Sequence, residues 1–405
     1  MTAVVTGVGV VAPTGIGAEE HWAALLAGET AIGPISRFDA SSYPVRLAGE
    51  VKGFEAGERV PSLLIPQTDH WTHMGFLTAE MALADSGVDP AELPEYEMAV
   101  VTAASSGGTE FGQKEIQKLW SKGSRAVGAY QSIAWFYAAS TGQISIRHGM
   151  RGPCSVIANE QAGGLDVLAQ ARRMVRNGSK VVVSGGTDAS LCPYGLTAQL
   201  SNGMLSRDGD PARAFRPFSP DACGYLPGEG GGKLIVEDAA HAAARGVREP
   251  YGEVAGYAAT FDPPPRSGRP PTLRRAIEGA LADARVSPGE VDVVFADAMG
   301  RPEADRDEAE AICGVFGPEA VPVAVPKALT GRMYAGGAPL DVITALLSIR
   351  DGVVPALPDS WEIDPGYRID LVRGAPRRMP VRTALVLARG YGGFNAALVL
   401  RACGT

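Results

Sequence analysis

The segment SVIANEQAGGLDVLAQARRM, Ser155 to Met174, sets the reading of the whole chain. A short β-branched run, SVIAN, meets an amphipathic run, LDVLAQARRM, across the small residues Ala162, Gly163 and Gly164. The second run has helical periodicity and ends at Asn177-Gly178, as helices commonly end. A strand that feeds a helix N-terminus is a good seat for a nucleophile, because the positive helix end favours an anion. The residue at this junction, Gln161, has no nucleophilic atom at neutral pH and does not titrate. The sequence therefore frames a reactive site and omits the reactive group.

The frame recurs. AGGLDVLAQARRMVRNG (162–178) and AGGAPLDVITALLSIRDG (335–352) share AGG, then LDV, then an amphipathic run ending at Arg and Gly. Each follows an apolar strand-like run and precedes another, which predicts two similar halves, residues 1–250 and 251–405. Around them, AVVTGVGVV, EMAVVTAA, SKVVVSGG, VDVVFADA and RTALVLARG alternate with helix-like stretches such as FLTAEMALADSG and TLRRAIEGALADARV. That alternation predicts an α/β fold with well-buried sheets. FDPPPRSGRPP, 261–271, reads as a surface connection near the join.

Composition narrows the function. With 405 residues, 45% hydrophobic and 20% charged, the chain can bury a large core. A net charge of −8 without blocks of like charge argues against nucleic acid. Five cysteines, none in CxxC spacing, fit reduced thiols rather than disulfides or zinc. The opening MTAVVTGVGVVAP suits a strand and turn better than a leader, and no apolar run reaches bilayer length. A soluble cytoplasmic protein with no membrane contact is expected.

Three motifs invite other chemistry and fall short of it. Gly7-x-Gly9 follows a strand, but Pro13 stands where a dinucleotide-binding helix would open. PGEGGGKL has Pro227 for the first glycine of a phosphate loop and Leu234 where a magnesium-holding hydroxyl belongs. His70 and His73 lack a third ligand, and a helix start capped by Thr68 or Asp69 accounts for them better than a metal.

Along nearly its whole length the chain resembles the β-ketoacyl synthase family. VVTGVGVVAPTGIG, QAGGLD, VVSGGTDA, RPFSPDACGYLPGEGG and GYGGFNAALVL stand in that family's order. Its most specific likeness, carried by YQSIAWFYAASTGQISIRHGMRGP (130–153) and VPKALTGRMYAGGAPLDV (325–342), is to the chain-length factor. That protein is the β subunit of the ketosynthase pair in aromatic (type II) polyketide synthases. The resemblance implies the thiolase fold, five layers α-β-α-β-α built from two similar halves.

An active family member attacks an acyl thioester with cysteine and stabilises an enolate with two histidines. The resemblance places these positions on Gln161, on Met299 of ADAMG and on Arg332 of KALTGR, with Lys327 kept. An amide, a thioether and a permanently charged guanidinium cannot perform those steps. It implies no catalytic residue, no metal and no cofactor of its own; phosphopantetheine would arrive on an acyl carrier protein. Implied partners are an active ketosynthase α subunit, joined through a strand near 155–159, the carrier protein, and the growing poly-β-keto chain. The chain-length tunnel would be walled by Thr109, Gly112 and Ile116 of SSGGTEFGQKEIQKLW, with Ile133 facing them. Small residues there, Gly112 above all, suggest room for a product around decaketide size or above. The alternative functions are a malonyl-carrier decarboxylase working through Gln161 and a homodimeric binding protein.

Overall fold

The computed structural model describes residues 1–404. Ten strands carry its architecture. In the first half they are β1 Ala3–Ala12, β2 Met98–Ala103, β3 Cys154–Ile157, β4 Val181–Asp188 and β5 Gly230–Asp238. In the second they are β6 Gly252–Phe261, β7 Val293–Phe295, β8 Pro322–Ala324, β9 Thr383–Gly390 and β10 Phe394–Arg401. The first half runs β1-β5-β4-β2-β3 and the second β6-β10-β9-β7-β8, the same order strand for strand. The sense of each pairing matches too. β2 is parallel to β3 and β4, β7 is parallel to β8 and β9, and the remaining pairs are antiparallel. A short antiparallel pairing of β1 with β6, Val4 opposite Glu253, joins the halves.

Six helices position the site: α1 His70–Ser86, α2 Thr109–Lys122, α3 Gly163–Arg176, α4 Leu273–Ala284, α5 Pro302–Phe316 and α6 Gly337–Asp351. The recurrent AGG segments open α3 and α6, and both helices touch strands of both halves. They form the middle layer, so α6 is buried without a break from Gly337 to Ser348. α1 covers the outer face of the first half-sheet and α4 that of the second. The result is the five-layered arrangement expected of the thiolase fold.

The decoy motifs resolve as packing. Gly7 and Gly9 lie inside β1, where a Cβ on Gly9 would come 2.1 Å from the Thr78 carbonyl of α1. Gly256 of β6 does the same for α4, with 2.3 Å to the Ala280 carbonyl. Most of PGEGGGKL is strand β5 rather than a loop. Asp69 caps α1, its carboxylate accepting from Trp71 N at 3.2 Å.

At the far edge of the first half-sheet, β3 pairs only with β2. Strand structure there ends at Ile157, short of the expected Asn159. The helix Ala139–Arg147 beside it carries exposed Ile146, and Trp120 and Phe136 are exposed elsewhere in the first half.

Candidate active site

Gln161 sits in a single turn, Glu160–Ala162, between β3 and α3, and is fully buried. Its amide Nε2 donates to Asp297 Oδ1 at 2.8 Å. Asp297, just past the end of β7, is buried and heavily engaged. Its Oδ1 also accepts from Arg389 N at 2.9 Å, and its Oδ2 accepts from Arg332 Nη1 at 2.8 Å. Arg332 donates further to the Asp297 carbonyl at 3.1 Å and, through Nη2, to the Arg389 carbonyl at 3.0 Å. Its guanidinium lies 5.2 Å from the centre of the Tyr225 ring. Lys327 Nζ donates to the Ala296 carbonyl at 2.6 Å and pairs with Asp341 at 2.6 Å.

Charge is balanced inside this cluster. Burial pushes the Asp297 carboxyl up, but the Arg332 and Lys327 cations outweigh it and hold it below its ordinary range. Burial likewise opposes the Arg332 charge, and Asp297 more than compensates. The centre is thus a buried carboxylate–guanidinium pair whose carboxylate also accepts from an amide. Neither the Gln161 amide, the Asp297 carboxylate nor the Arg332 guanidinium is a thiol-like nucleophile or a proton shuttle near neutrality.

The structure brings Gln161, Arg332 and Lys327 together as expected, but not Met299. Met299 packs in an apolar cluster with Ile35, Phe215 and Tyr225. The residue of ADAMG that reaches Gln161 is Asp297, two positions earlier. The cause is the tight turn after β7. Ala298 is left-handed, φ 49°, and the α5 carboxylates anchor the loop, Glu308 accepting from Asp297 N and Ala298 N and Asp305 from Gly300 N. A lone carboxylate just past the apolar run VVFA was the only mark of Asp297 in the sequence, and its arginine partner appears only in the structure.

Beside the cluster opens a cavity of about 300 Å³. Its lining includes Glu160, Tyr334 and Tyr391, and also Ser106, Thr109 and Ser190. Glu160 and Tyr334 open the turns that lead into α3 and α6, and both are left-handed, φ 51° and 48°. The junctions of the two halves therefore converge on one space. Burial raises the Glu160 carboxyl to about 7, against the pull of Arg332.

The expected tunnel residues divide. Thr109 opens α2 and lines the cavity. Gly112 is buried but lines no space, because a Cβ there would come 2.6 Å from the Trp135 ring. The glycine admits an indole against the helix, which removes the basis for reading room for a long product from it. Ile116 is half-buried. Ile133 is 39% exposed, and Trp135 is the side chain of that segment that meets Gly112.

Comparison with known proteins matches residues 2–242 to the β-ketoacyl synthase N-terminal domain and residues 251–359 to its C-terminal domain. The chain belongs to the β-ketoacyl synthase family. It is 56% identical, over 98% of both chains, to the tetracenomycin polyketide synthase ketoacyl synthase β subunit of Streptomyces glaucescens. Among solved structures it is similar to the ishigamide ketosynthase/chain length factor, with TM-score 0.91 and 26% identity over 100% of this chain and 99% of that one. A second match is a type II polyketide synthase acyl-carrier protein in complex with its ketosynthase bound to the hexaketide. There the TM-score is 0.88 at 25% identity over 99% of each chain. Among the described residues no helix is long and apolar enough to cross a membrane.

Proposed function

We propose that this chain is the chain-length factor of a type II aromatic polyketide synthase. It joins an active ketosynthase α subunit as a non-catalytic β subunit and shapes the space in which the poly-β-keto chain grows. The observation that carries this reading is the Gln161–Asp297–Arg332 cluster: the seat of a nucleophile filled by an amide that holds two halves of the protein together. The unpaired edge of β3 and the apolar surface of Trp120, Phe136 and Ile146 suit a large, obligate interface with the partner. The carrier protein delivers the chain on its phosphopantetheine arm, the pair works in the cytoplasm, and this subunit needs no metal or cofactor.

The decarboxylase reading has less support. An enolate needs a donor turned toward the bound thioester. Arg332 is 1% exposed, and both its Nη atoms are committed to Asp297 and Arg389. The test is reconstitution with the native ketosynthase and carrier protein. Product of defined length is expected only from the pair, and no carbon dioxide from malonyl carrier protein with this chain alone. Turnover by the isolated chain would overturn the proposal.

A further inference from the structure

The helix that begins at Thr109 cannot supply its own N-cap. Gly108 stands at the cap position of α2 without a side chain, and a Cβ there would come 2.1 Å from the Ala134 carbonyl. The Gly108 amide donates to the Trp135 carbonyl at 3.1 Å, so residues 134–135 press on the start of the helix. The side chains that usually accept from the free amides of a first turn, those of Ser, Thr, Asp and Asn, are thereby excluded.

The acceptor comes from α1. Asp69, the N-cap of that helix, is 2% exposed and divides its carboxylate between two helices. Oδ1 accepts from Trp71 N in the first turn of α1 at 3.2 Å, and Oδ2 accepts from Phe111 N in the first turn of α2 at 2.7 Å. The shorter bond goes to the helix that is not its own. Two positive helix ends thus converge on one carboxylate, an arrangement that suits a charged acceptor. Arg37 makes a second bridge between the same two helix starts. It donates to Nε2 of His70, the first residue of α1, at 2.9 Å and to Oε2 of Glu110, the second residue of α2, at 2.6 Å. Burial works against the Arg37 charge, but Glu229, Glu110 and Glu50 more than offset it. Phe111 stands two residues from Thr109 in the same turn, so whatever fixes the one holds the other.

We propose that Asp69 is a positioning residue for product length: by capping α1 and α2 together it sets where the first turn of α2, and with it Thr109, stands against the growing chain. Asp69 lies outside the cavity wall and acts only through α2. The effect on length rests on the chain-length reading; the shared cap does not.

The test is Asp69→Asn in the heterodimer with the native ketosynthase. The amide is close to isosteric but has one oxygen, so it caps one helix and turns N–H groups toward the other. Hydrogen exchange across residues 109–112 should quicken roughly fivefold, the effect of one lost cap. In reconstituted synthesis, products a ketide longer or shorter should rise at least about threefold against the native length, from the same shift in the helix start. Lys114→Ala removes the exposed partner of Glu110 on α2 itself and should leave the spread of products unchanged. Native exchange or a native product spread from Asp69→Asn, or an equal change from Lys114→Ala, would overturn the proposal. If Asp69→Asn does not assemble, Arg37→Met decides in its place, because it cuts the second bridge and leaves both caps; an unchanged spread there overturns the proposal as well. Thr109→Phe in the same assay separates the two readings. If it shortens the product while Asp69→Asn changes nothing, this inference falls alone; if neither changes the product, the chain-length reading falls and takes this one with it.

Discussion

Thr109 offers the sharpest test of how this subunit limits its product. It lines the cavity, and its hydroxyl lies 3.8 Å from the Sγ of buried Cys192. Thr109→Phe adds a net four heavy atoms, on the order of 80 Å³ at interior packing density, against a cavity of about 300 Å³. One ketide unit brings three heavy atoms, roughly 60 Å³ by the same density. The substitution therefore removes room for about one unit. The assay is reconstitution with the native ketosynthase, holo carrier protein and malonyl donor, with products resolved by liquid chromatography and mass spectrometry. Shortening by at least one ketide is expected, with Thr109→Ser unchanged. Overpacking costs about 1–3 kcal/mol, so the melting temperature of the pair is followed alongside. An intact heterodimer that makes the native product length from Thr109→Phe would refute the reasoning.

Lys233 is fully buried in β5, donates to the Gly185 carbonyl at 3.2 Å, and is lowered by burial to about 7. Its charged form is disfavoured in the fold, so stability falls as pH drops from about 10 to 7 and then levels; Lys233→Met should stabilise by a few kcal/mol at pH 7, a gain that vanishes near pH 10 in denaturant titrations. Arg332→Met leaves Asp297 buried without its main partner and should cost about 3–5 kcal/mol; adding Asp297→Asn should restore most of it in a double-mutant cycle. Gly112→Ala should lower the melting temperature by a few degrees, since the clash with Trp135 exceeds the gain of about 1 kcal/mol in helix propensity, and leave product length unchanged. Gln161→Cys should yield no condensing activity in the isolated subunit, because neither Asp297 nor Arg332 can replace an enolate-stabilising histidine; carbon–carbon bond formation would show the centre misread.

The duplication was legible because it is written in small residues. AGG before an amphipathic run marks where a helix must start against packed layers, and both copies do so at α3 and α6. Gln161 was legible for the same reason. Asp297 was passed over because the motif resemblance put the position on Met299, and the sequence alone does not show the left-handed turn at Ala298 that leaves Asp297 facing Gln161. Gly112 misled because a glycine in a helix reads equally as empty space and as close packing. Only the tertiary path of residues 131–135, which lays Trp135 across it, decides between them. The left-handed Glu160 and Tyr334 left no trace at all, since neither residue type advertises that backbone.

A buried site is most readily filled with apolar side chains, because buried ion pairs roughly break even or lose against them. This one keeps a carboxylate, a guanidinium and an ammonium in the core. What the polar groups provide is connection. Gln161 at the entrance to α3 reaches Asp297 beyond β7; Asp297 binds Arg332 in the loop before α6 and the backbone of Arg389 at the end of β9. Four segments from both halves are thereby fixed around one cavity wall, with directional bonds that hydrocarbon packing does not supply. An enzyme needs such rigidity to hold reacting atoms. A subunit that measures another's product needs it equally, because a wall that yielded by one ketide's volume would no longer set a length.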